Sequence, residues 1–362
     1  MFFVNVDSKS VHRLGFRPKG DAVYLVEEID STRIISNKWS DVLEPVSPIL
    51  VELQTTGSVA PVTALFDSRD AFDAGDSEAE KFMRGLVDNG TLDDAVKQCC
   101  LAATSEYNYE AQKALLRAAS YGKSFSGNTY ANELKDDFRN AHNKLRILNN
   151  LRDVRIGIPL TSTQYDTLTP AVIVQRLCAC KQHFLAAKIC KLLGMSNAKV
   201  LTHWAYLKIA SNTSLDDDKL CSTICRVFQL NNAAVSYASV ARQANELGKR
   251  DLAIKLLQSE TQVDEKVGLL LVMDDYDRAL KCAVRSQNSD HIFTVLMRMR
   301  KRAPDGSLFT KKILTSYPAA ADLLVLFLQK QQELHGNDGN YRENDRALLR
   351  KVRESLPRPC SL

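Results

Sequence analysis

Apolar residues recur every third or fourth position through most of the chain. Tyr237, Val240, Ala241, Ala244 and Leu247 follow this spacing, as do Tyr276, Ala279, Leu280, Ala283 and Val284, and then Ile292, Val295, Leu296 and Met299. Each set covers one face of a helix with 3.6 residues per turn. The pattern begins near Glu78 and persists to about Gln332. Its punctuation fits helix ends: Gly90, Gly122, Gly194 and Gly248 stand where a left-handed residue stops a helix. Thr169-Pro170 places a capping hydroxyl before a first-turn proline, and Thr161 with Gln164 has the spacing of a capping box.

The first 45 residues read differently. Val23, Leu25 and Ile29 form one extended run and Ile34, Ile35 and Trp39 a second, with Asp30-Ser31 as the turn between them. This predicts a β-hairpin within residues 1–50. An isolated hairpin is marginal in water, so it either packs on the following helices or is the remnant of a larger β domain. Pro48, Gly57, Pro61 and Gly75 mark residues 51–77 as a linker with one short helix at most. Strand-like alternation ends after Leu53.

Residues 78–335 carry an internal echo. Ala95-Val96-Lys97, Ala186-Ala187-Lys188, Ala253-Ile254-Lys255 and Ala279-Leu280-Lys281 each sit about one turn into a helix. A small residue there lets two antiparallel helices approach closely while the lysine faces water. Stacked helical hairpins of this kind form a solenoid. The spacing between copies is irregular, so the predicted fold is mainly α, an irregular α-solenoid preceded by a short β-hairpin. Residues 336–362, with Gly-Asn-Asp-Gly-Asn and Pro357-Arg358-Pro359, read as a flexible tail.

Composition narrows the function. The 48 basic and 43 acidic residues are spread along the 362-residue chain and give a formal charge of only +5. That disfavours nucleic acid, whose backbone calls for a strongly basic face. The dense run Arg298, Arg300, Lys301 and Arg302 reads as a solvated helix end favoured by the macrodipole, with acidic lipid or an acidic partner as the alternative. The nine cysteines, scattered at helical positions, look like small apolar residues of a reducing compartment. No signal-peptide core follows Met1, and no apolar stretch is long enough to span a bilayer, so membrane contact is expected to be peripheral.

A search for chemistry finds nothing specific. Cys178, Cys180, His183 and Cys190 invite a zinc reading, but Cys178 and Cys180 point to nearly opposite sides of a helix and the paired CxxC spacing is missing. Cys221 and Cys225 share a face without a partner pair. Gly122-Lys123-Ser124 imitates the end of a phosphate loop, yet the earlier glycine and the preceding strand are absent. His203 flanks the apolar run Val200, Leu201, Trp204, Leu207 and reads as structural. Asp216 to Asp218 and Asp274-Asp275 sit in turns, where acids favour a helix N-terminus. Neither catalytic residues nor a cofactor or metal site is expected. Recognition surface remains, and Leu323 to Leu328 reads either as a partner-facing ridge or as a helix buried on both sides.

Several strings carry a resemblance. Leu115 to Lys123, Leu145 to Asp153, Ile156 to Thr161 with Gln164-Tyr165, His203-Trp204-Ala205, Tyr237 through Leu257, and Phe293 to Leu296 together resemble the vacuolar protein sorting-associated protein 16 family. The resemblance covers residues 20 to 335 in order. It implies a non-catalytic scaffold subunit of a HOPS- or CORVET-type tether. Such a subunit supports vesicle docking and SNARE-mediated fusion by binding an SM-family protein and other tether subunits, and reaches SNAREs indirectly. It implies a cytoplasmic protein peripherally associated with late endosome, lysosome or vacuole membranes, and makes the hairpin the last piece of a β-propeller. Leu324, Phe327 and Gln331 are the partner-binding candidates, at the opening of the SM-protein dock. The alternative is a clathrin- or coatomer-like coat component.

Overall fold

The computed structural model describes residues 2–5, 9–13, 22–126, 131–212, 216–231, 234–303, 307–309, 311–335 and 343–355. The chain divides into two compact units, Met1–Met195 and Ser196–Leu362. The fold is mainly α, built from stacked helical hairpins in the manner of a solenoid, with strands confined to the N-terminal end of the described residues.

The first unit opens with an antiparallel pair, β1 (Phe2–Asn5) and β2 (Ser10–Arg13). A separate antiparallel sheet follows: β3 (Val23–Glu27), β4 (Thr32–Ser36) and β5 (Ser40–Leu43), in that spatial order. Leu25 pairs with Ile34, and Ile34 is the sheet's buried anchor. The predicted hairpin is therefore present, extended by a third strand.

Helices then take over: α1 (Pro48–Gln54), α2 (Pro61–Ala74), α3 (Glu78–Asp88), α4 (Leu92–Ser105), α5 (Tyr109–Lys123) and α6 (Ala131–Arg152). Residues 51–77 are thus largely helical rather than a linker. Pro48 and Pro61 occupy first-turn positions, where the missing N–H has no intrahelical partner to lose, so both prolines start helices. Val62 and Leu65 of α2 are fully buried beside Ala95, Val96 and Cys99 of α4 and Ala118 and Ala119 of α5. Gly122 lies inside α5 instead of stopping it. A Cβ there would meet Val96 Cγ2 at 2.8 Å and Leu65 Cδ1 at 2.9 Å, so this glycine permits close helix approach. Gly90, Gly194 and Gly248 do adopt positive φ past helix ends.

The unit ends with α7 (Ser162–Thr167), α8 (Pro170–Ala179) and α9 (His183–Leu192). Thr161 and Gln164 form the expected capping box at α7. Pro170 opens α8, but the Thr169 side chain makes no capping bond; the Val172 amide donates instead to the Thr169 carbonyl at 2.9 Å.

The second unit comprises α10 (Ala198–Ser211), α11 (Asp217–Leu230), α12 (Tyr237–Glu246), α13 (Arg250–Gln258), α14 (Val263–Val272), α15 (Tyr276–Arg285), α16 (Ser289–Arg302), α17 (Lys311–Ser316), α18 (Pro318–His335) and α19 (Glu343–Ser355). Pairs such as α12 with α13 and α14 with α15 are hairpins, and alternate helices pack between them. Ala253 and Ala279 are fully buried, which is the close approach their repeated position implies. Part of the tail read as flexible is α19. It buries Leu348, Leu349 and Val352 in the same core as α17 and α18. Residues 336–342 and 356–362 of that tail, including Pro357-Arg358-Pro359, lie outside the described residues.

Candidate partner-binding surface

The docking candidates share one helix, but not one face of it. Leu324 of α18 is 0% exposed and belongs to the core of the second unit, so it is unavailable to a partner. Phe327 is half-buried against Phe293 of α16, with ring centroids 5.1 Å apart in an edge-on contact. The Arg300 guanidinium lies 5.4 Å from the Phe327 centroid and donates to Gln331 Oε1 at 3.0 Å. Arg300 therefore forms part of a packed surface cluster rather than a free helix end. Leu326 is 58% and Phe293 38% exposed, which leaves apolar surface on both helices. The run Leu323 to Leu328 is amphipathic, with Leu324 and Leu328 buried and Leu326 outward, because α18 packs on α16 and α19 along one stripe.

A second arrangement escaped sequence reasoning. The turn between β3 and β4 is clasped to the entry of α7 by polar side chains. Thr161 Oγ1 donates to Asp30 Oδ2 at 2.6 Å, while Gln164 Nε2 lies 2.7 Å from Glu28 Oε2 and 3.0 Å from both Asp30 Oδ1 and Ser31 Oγ. Arg33 pairs with Glu28 at 2.6 Å and donates to the Pro159 carbonyl at 3.0 Å. Hydrogen bonding from Arg33 holds the Glu28 carboxyl below its usual value, against the opposing effect of burial. The capping box thus has two jobs: it satisfies helix donors and it anchors the sheet. Only the first is visible in the sequence, since the partners lie more than 130 residues away.

Burial makes three of the thiols poor nucleophiles. Burial pushes Cys99 up to about 12 and Cys100 to about 11, and Cys221, packed against Cys225, to about 12. Reactivity needs the thiolate, which such environments suppress. Cys178 is buried in α8, and Cys180, just past its end, is exposed. The eight described cysteines are free. Asp216 and Asp275 cap α11 and α15, accepting from the amides of Asp218 and Arg278. Among the described residues no helix is long and apolar enough to cross a membrane.

Comparison with known proteins joins these features to a family. Residues 1–135 match the family described as Vps16, N-terminal region, and residues 235–350 match Vps16, C-terminal region. The chain belongs to the Vps16 family. Vps16 relatives align across both units. The Arabidopsis thaliana protein VACUOLELESS1 is 34% identical over 318 residues, which is 86% of this chain and 36% of the relative. The Dictyostelium discoideum vacuolar protein sorting-associated protein 16 homolog is 33% identical over 311 residues, 86% of this chain and 36% of the relative. Vacuolar protein sorting-associated protein 16 of Saccharomyces cerevisiae is 27% identical over 324 residues, covering 88% and 39%. The chain spans a little over a third of the length of these relatives.

Proposed function

We propose that the chain is a scaffold portion of a vacuolar sorting subunit in a HOPS- or CORVET-type tether, acting through binding rather than catalysis. Its partners on this reading are the other tether subunits and an SM-family protein, with SNAREs reached through them. Its place is the cytoplasmic side of late endosome, lysosome or vacuole membranes, held there by partners. The observation that carries the reading is the match to both regions of one vacuolar sorting family on a chain of stacked helices. Such arrays hold partners along extended surfaces. The face formed by Phe293, Leu326, Phe327 and Gln331 is the dock assigned to the SM-family protein. It combines a partly buried aromatic anchor with an arginine, the residue types that dominate binding energy at interfaces.

Affinity isolation of the tagged chain from cells tests the assignment. Tether subunits are expected to be enriched over a control array of helices. Recovery of vesicle coat subunits without tether subunits overturns it.

A further inference from the structure

A groove runs between α5 and α6. It measures about 410 Å³. From α5 it is lined at 109, 112, 113, 116, 117 and 120, and from α6 at 138, 142, 145, 146 and 149. Both sets follow helical spacing and each spans twelve residues, eleven steps or roughly 16 Å at 1.5 Å per residue. The two helices run antiparallel. Gln112 and Asn149 exchange hydrogen bonds of 2.8 and 3.2 Å near one end, while Lys123 Nζ sits 4.2 Å from the Phe138 ring centroid near the other. The trough is therefore three turns long, with a fixed floor.

Its chemistry is one-sided. Leu116, Phe138 and Leu145 supply an apolar floor, and Tyr109, 66% exposed, stands at one end. The exposed rim is Lys113 and Arg117 on one side and His142 and Arg146 on the other. Among the described residues that line the groove there is no carboxylate. Lys113 keeps only a loose 3.9 Å ion pair with Glu110, outside the lining. Cations flank both edges of an apolar seam, which is the complement of an amphipathic helix with an apolar stripe and acidic flanks.

We propose that this groove binds an acidic amphipathic helix of a partner protein, about three turns long. Its leucine-type residues pack on Leu116, Phe138 and Leu145, and its carboxylates pair with Arg117 and Arg146. Helix-in-groove recognition reads anchors at i, i+3, i+4 and i+7, which matches the two lining stripes. Arginine suits the flanks because its fork meets a carboxylate with two donors. The inference is independent of tether membership and concerns a different unit from the α16–α18 face.

The test uses the full chain and two hydrocarbon-stapled, fluorescein-labelled peptides of about fourteen residues, long enough to fill three turns. Both carry leucine at i, i+3, i+4 and i+7. One has glutamate at the flanking positions and the other lysine. Fluorescence anisotropy is expected to show the glutamate peptide binding at least tenfold more tightly than the lysine peptide. The double variant Arg117→Glu with Arg146→Glu is expected to reverse that preference. Should that variant lose its helical circular dichroism, the milder pair Arg117→Gln with Arg146→Gln must weaken the glutamate peptide at least threefold. Equal binding of the two peptides overturns the proposal, as does unchanged binding by a folded variant. So does glutamate-peptide binding that phosphatidylserine vesicles abolish, since the groove would then be a lipid-facing surface.

Discussion

Arg300 on α16 donates to Gln331 on α18 across 3.0 Å while its guanidinium covers the Phe327 ring. One arginine thereby fixes the spacing of two helices and the posture of the aromatic side chain between them. Its cost in rotamer entropy is met by two kinds of contact, a hydrogen bond and a cation–π interaction.

Two of the docking candidates, Leu324 and Gln331, should separate cleanly in unfolding experiments. Leu324→Ala removes a fully buried side chain and is expected to lower stability by ~3 kcal/mol. Gln331→Ala removes one partly exposed hydrogen bond and is expected to lower it by about 1 kcal/mol or less. Urea denaturation followed by circular dichroism measures both. Equal losses would place Gln331 in the core.

Gly122→Ala discriminates between a helix stop and a packing glycine. At an exposed helix interior the change would gain about 1 kcal/mol from propensity. Here the new methyl meets Val96 and Leu65 inside 3 Å, so a net loss of ~1–3 kcal/mol is expected. A raised melting temperature would show that α5 does not approach α2 and α4 so closely.

Thr161 and Thr169 each precede a helix, and of these two only Thr161 caps. Thr161→Ala loses the bond to the Gln164 amide and the bond to Asp30, and is expected to cost ~1–2 kcal/mol. Thr169→Ala loses no capping bond, and its melting temperature should match the parent's. Thermal melts of the two variants decide the matter.

The clasp carries a pH dependence whose sign is fixed by Glu28. Its folded value lies below the ordinary 4.5, so its contribution is complete above about 4.5 and disappears as pH falls through the lowered value. The protection of the β3–β4 amides, their exchange relative to an unfolded chain at the same pH, should therefore fall on acidification below that point. Gln164→Ala should lower it at neutral pH as well. Indifference of strand exchange to Gln164 would mean that the sheet is held by Ile34 alone.

Much of the helical array was legible because its signals are local. Apolar spacing, glycine stops at Gly90, Gly194 and Gly248, and the Thr161–Gln164 box each operate within a turn or two of chain. The misreadings share a cause. Pro48 and Pro61 mark either a linker or a helix start, and only the burial of Val62 and Leu65 beneath later helices decides between them. Gly122 looks like a stop until Val96 and Leu65 come up against it. Leu324 looked like surface for the reason Leu326 is surface: the phase of α18 against α16 is a tertiary fact. The clasp and the α5–α6 groove were hidden altogether, since each joins residues on separate elements.

The proposed function is tested most directly at the α16–α18 face, where we propose that an SM-family protein docks. Isothermal titration of the purified chain with that protein is the direct measurement. Stoichiometric binding, weakened at least tenfold by the folded double variant Phe327→Ala with Gln331→Ala, is the predicted result. Absence of heat from a chain with intact helical circular dichroism, or binding indifferent to both substitutions, would contradict it.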